Sequence, residues 1–119
     1  MRSATLPTML FCWATAAAAD QFQPLTEPDD FLNALGGRDL THRLYNLKIS
    51  VDPAGTINGS AMGWDITGEW AWKDGYFCRV MDWGGSEIPY NCQLVELDGD
   101  TMRFTSDQGQ GDSAAFRLR

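Results

Sequence analysis

From Gly37 onward, apolar and polar residues alternate in short runs, and glycine, aspartate or proline breaks each run within a few residues. The clearest case is 68–73, where Trp70 and Trp72 share one face and Glu69, Ala71 and Lys73 take the other. A period of two is the signature of a half-buried β-strand. Strand-compatible runs cover 40–45, 47–51, 56–62, 68–73, 76–83, 90–97, 101–106 and 114–118. Turn chemistry separates them: Asp52-Pro53-Ala54-Gly55, a break at Gly63, Asp74-Gly75, a longer loop over 84–89, Asp98-Gly99-Asp100, and a glycine-rich stretch over 107–112. Asp-Gly between two alternating runs is a strong hairpin signal. Seven or eight short strands joined this way predict an all-β fold, an antiparallel meander closing into a barrel or a flattened sandwich.

Before Gly37 the period changes. Residues 20–25 form an extended lead-in, and Thr26 then stands as a helix N-cap with Asp29 three positions on. Glu27, Pro28, Asp29 and Asp30 suit a first turn, because the helix dipole favours acids there. Phe31, Leu32 and Leu35 make a short apolar face, and Gly36-Gly37 ends it. Such a helix, about two turns long, is expected to plug or cover one end of the β-domain.

The first nineteen residues have the pattern of an export signal. Met1 and Arg2 form a positive start, 6–19 is uncharged, and Ala17-Ala18-Ala19 precedes Asp20 as a signal peptidase site requires. The stretch is too short to span a bilayer stably. The expected division is therefore a signal peptide over 1–19 and a single β-domain over 20–119, periplasmic or secreted, with no stable membrane insertion after cleavage. Phe11 is too large a residue to precede a lipoprotein cysteine at Cys12. Cleavage removes Cys12 and leaves Cys78 and Cys92, which are expected to form a disulfide in an oxidising compartment.

Charge narrows the partners. The chain carries a net charge of −7. Residues 20–119 hold sixteen acids against eight bases, a net charge of −8. That balance disfavours nucleic acid, whose affinity comes from neutralising phosphates, and anionic lipid surfaces. It admits a basic envelope protein or a small ligand as partner. No cofactor motif is present, and His42 as the lone imidazole leaves no zinc site.

The block 68–79, Gly-Glu-Trp-Ala-Trp-Lys-Asp-Gly-Tyr-Phe-Cys-Arg, is followed by Tyr90-Asn91-Cys92-Gln93 and Arg103-Phe104-Thr105-Ser106-Asp107. Together they resemble a group of short exported bacterial proteins of uncharacterised function, over roughly residue 31 to the end. Some of that group carry the label dihydrodipicolinate reductase. That enzyme is a cytoplasmic, two-domain, nucleotide-binding protein, and its fold needs a glycine-rich loop between a first strand and a helix. Gly109 and Gly111 have no helix after them, so the motif is missing from this chain. Gly68-Glu69-Trp70 is also similar to the G-x-W of lipocalins, although there it lies in the first strand.

Candidate chemistry clusters around the tryptophans. Trp70 and Trp72 are expected in the core. Trp64 and Trp83 flank glycines near strand ends and are the candidates for a ligand platform, with Asp82 and Glu87 as the neighbouring acids. Asp65 and Glu69 lie nearby as well. Paired carboxylates can perform glycosidase-type acid/base work, but only at a defined separation. Arg79 and Arg103 fall inside apolar strands and are expected to pair with acids such as Asp82 or Glu96, because a buried charge needs a partner. The expected function is a non-enzymatic binding or structural module of the cell envelope; the alternatives are a small-ligand carrier using the tryptophan cluster, or an enzyme.

Overall fold

Turn residues set the strand boundaries. The computed structural model describes Ser3, Thr5 and residues 21–119. Apart from those first two residues, the expected export segment, with Cys12 and the cleavage site, lies outside the described residues. A short strand β1 (Gln23–Leu25) leads into helix α1 (Pro28–Leu35). The strands that follow are β2 (Leu40–His42), β3 (Leu47–Val51), β4 (Thr56–Ala61), β5 (Trp64–Lys73), β6 (Tyr76–Trp83), β7 (Ser86–Asp98), β8 (Thr101–Thr105) and β9 (Ser113–Leu118). From β2 to β9 each strand pairs antiparallel with the next, and β9 returns to β2. The sheet is therefore a closed eight-stranded barrel, and closure removes the edges that an open sheet would expose. β1 is an additional strand laid against the second half of β7.

The β5–β6 hairpin turns on Asp74 and Gly75, both with positive φ (53° and 87°), the type I′ geometry that matches strand twist. The β6–β7 connection departs from expectation. In place of a loop over 84–89, Gly84 and Gly85 alone make the turn, and β7 begins at Ser86. Pro89 misleads because it cannot donate to a ladder, which argues against a strand. Here it sits in a β-bulge: the register jumps from Arg79↔Asn91 to Met81↔Ile88, so Val80 faces both Pro89 and Tyr90. A bulge leaves one residue out of the ladder, and proline is tolerated there. Next to the bulge, Cys78 and Cys92 lie directly opposite each other and are joined by a disulfide. Closing a loop of this sequence separation (14) contributes about 3 kcal/mol on the chain-entropy model.

Helix α1 closes one end of the barrel. Its N-cap is Glu27 and not Thr26, because Pro28 takes the first helical position, where a missing N–H costs nothing. Gly36 ends it in the left-handed conformation (φ 56°). Phe31 is fully buried and packs on Trp72, Phe77 and Trp70 at ring separations of 5.1, 5.2 and 5.6 Å. Trp72 donates its indole N–H to the Thr26 carbonyl just before the helix. Arg38 ties down the other end: its guanidinium donates to the Ala34 and Leu35 carbonyls and pairs with Asp100 at 2.8 Å. Orphan carbonyls at a helix C-terminus need such donors.

Candidate functional site

The up-and-down order puts the connections 43–46, 62–63, 84–85 and 106–112 at the end opposite α1. The last of these connections holds one four-residue helical turn, α2 (Ser106–Gly109), and among the described residues no helix of greater length lies at that end. Leu44, Tyr45, Met62 and Trp64 stand exposed on its rim. A cavity of about 270 Å³ lies inside the barrel. Its wall is mostly apolar, with Ile49, Ile57, Phe77, Phe104 and Phe116 among the lining residues. Towards the open end, Ser106, Asp112 and Ser113 line it. Two glycines let the strands coil tightly around this space. A Cβ at Gly59 would lie 2.1 Å from the Lys48 carbonyl oxygen, and one at Gly68 would lie 2.4 Å from that of Val80.

Among the residues that line the lumen, Arg79 is the buried charge, while Asp112 is exposed. The two-residue period of β6 puts Phe77, Arg79 and Met81 on the inner face, and all three line the cavity. Arg79 is only 9% exposed. Its Nη1 donates to the Pro89 carbonyl at 2.6 Å. The bulge that frees this carbonyl from the ladder thus anchors the guanidinium. Among the described residues no carboxylate forms an ion pair with it. Burial lowers the guanidinium's pKa from its ordinary value. Gln93, also on the wall, donates to the Ser106 hydroxyl at 3.4 Å, so neutral polar groups lie beside the charge.

The expected arginine pairings divide. Arg103 does pair with Glu96, through Nε and Nη2 to the same carboxylate oxygen at 3.1 and 3.0 Å. Arg79 does not pair with Asp82, because the strand alternation sends Asp82 to the outer face. There Asp82 accepts from the Gly85 amide and stands opposite Glu87 in register.

The four residues expected as a ligand platform gather around the β6–β7 hairpin, outside the cavity. Trp83 is half-buried, packs on the core and donates to the Ala61 carbonyl at 2.9 Å. Trp64 is 62% exposed, with its ring lying over Gly84. Asp82 and Glu87 lie on the outer wall, and none of the four lines the cavity. Trp70 and Trp72 are half-buried against the core beside α1, their indole N–H groups donated to backbone carbonyls. His42 meets the Tyr45 ring in a tilted contact at 4.8 Å and does not line this cavity either.

Sequence reasoning weighed Arg79 as a structural ion-pair partner and so missed it as a site residue. The signal was present in the period: a cation at the position that Phe77 and Met81 assign to the inside. Comparison of the chain with protein-family models, with curated proteins and with solved structures finds no match.

Proposed function

We propose that this protein is a non-enzymatic binding module of the cell envelope, periplasmic or secreted, that carries a small ligand in the barrel lumen. The observation that carries this reading is the largely apolar cavity of about 270 Å³, which extends from the end that α1 closes towards the opposite end, where Ser106, Asp112 and Ser113 line it. Ligand sites are concave, mostly apolar and furnished with a few polar groups, and this volume falls near the small end of their usual range of about 300–1,000 Å³. The disulfide supports the compartment, since such bonds persist in oxidising surroundings. The lumen favours a small molecule over a basic protein partner, because a protein surface does not enter a space of this size. The tryptophan platform of the sequence reading gives way here to the inner wall.

Native mass spectrometry of the purified protein with octanol, octanoate and octylamine tests the reading. A one-to-one adduct with any of the three, lost on denaturation, is the expected outcome. Failure of all three to bind overturns it.

A further inference from the structure

We infer that the cargo is a small amphipathic carboxylate whose head group pairs with Arg79 inside the barrel. This rests on the carrier reading above. The argument starts from charge balance. A guanidinium keeps its proton at all physiological pH. Placed in an apolar interior, such a charge is costly unless a counter-charge meets it. The protein supplies one for Arg103, another strand arginine, pairing it with Glu96, and one for Arg38, pairing it with Asp100. For Arg79 it supplies a neutral carbonyl at Pro89 and, among the described residues, no ion-pair partner. Asp112 lines the same cavity but stands exposed and makes no ion pair with it.

Geometry selects the class of anion. The guanidinium has five N–H donors in a planar fork, and the Pro89 bond occupies one nitrogen. The remaining edge suits the two oxygens of a carboxylate, which such a fork binds in parallel. Ile57, Phe77, Phe104 and Phe116 then receive an apolar body. The volume limits that body to a medium chain or a single ring. A cationic head would meet an unpaired like charge at close range, and a neutral head would leave the guanidinium uncompensated.

Titration calorimetry on the purified protein separates these heads at constant tail. Octanoate is expected to bind roughly ten- to a hundredfold more tightly than octanol, the range of a charge-assisted hydrogen-bonded pair. Octylamine is expected to bind more weakly than either. In Arg79→Met the preference for octanoate over octanol disappears, and the melting temperature of the free protein rises because a buried charge has gone. Arg79→Lys keeps the charge but loses the fork, and recovers only part of the preference. Equal affinities for octanoate and octanol in the parent protein overturn the carboxylate assignment and leave the carrier reading intact. An octanoate preference that survives in a folded Arg79→Met overturns it too. Absence of binding by all three probes removes the carrier reading and this inference with it.

Discussion

Gly59 shows how tightly single positions constrain this barrel. It lies within β4 without the positive φ that usually explains a glycine; what excludes a side chain is the neighbouring strand. A methyl group there would meet the Lys48 carbonyl oxygen and the Ile49 Cα at 2.1 and 2.8 Å, both backbone atoms of β3 that move only with their strand. Gly59→Ala is therefore expected to cost about 1–3 kcal/mol, the scale of overpacking. The midpoint of urea unfolding reads it, and an unchanged midpoint would mean that β3 and β4 separate freely. Such a contact is not legible in a sequence, where Gly59 reads as one more small residue in a strand. Arg79 is the opposite case: its inward direction follows from the period of β6, but its lack of a counter-charge depends on which side chains other strands bring to the lumen. Asp82 is near in sequence and on the wrong face. Glu96 is taken by Arg103.

At the level of elements, α1 behaves as a stopper whose largest buried side chain is Phe31, with Leu35 buried beside it. Phe31 is the residue that the aromatic cluster of β5, β6 and β8 encloses, with Phe104 at 6.5 Å completing the ring of neighbours. Phe31→Ala is expected to destabilise the fold by about 3–5 kcal/mol, the usual cost of emptying a large aromatic site. Weakened near-UV circular dichroism should accompany it, since Trp70 and Trp72 lose the surface that orients them. Stability within 1 kcal/mol of the parent would show that the barrel end holds without its stopper. The helix, its glycine stop and its covering role were all readable from the local pattern. So were most strands, because the turns between them are built from residues with strong conformational preferences. The failures came where non-local geometry overrules local chemistry. Pro89 reads as a loop residue and becomes part of a thirteen-residue strand because a bulge accommodates it. Whether the sheet closed or flattened was not legible either, since that rests on β9 meeting β2, two segments far apart in sequence.

For the whole molecule, one acid-sensitive contact is expected where the stopper is tied to the barrel. The Arg38 guanidinium, hydrogen-bonded to Asp100, holds that carboxyl below the usual carboxylate range. A carboxyl with a lowered pKa binds fewer protons folded than unfolded, so stability rises with pH through this region. The contribution is present above the unfolded value of about 3.9 and fades as pH falls through the folded one. Asp100→Asn is expected to flatten this part of the acid limb of a melting-temperature profile and to leave the limb above pH 6 parallel to the parent. An acid limb of unchanged slope would mean that the pair does not contribute. The seam between β2 and β9 has a further consequence, in the order of events. Every other pairing within the barrel joins strands adjacent in sequence and is available as soon as a hairpin has emerged. The seam, where Asp39 and Arg119 exchange two backbone hydrogen bonds, waits for β9. Until then there is a curled sheet and no inside. A wall completed last encloses nothing until the chain is whole, so on the carrier reading proposed above a ligand can enter only a finished barrel.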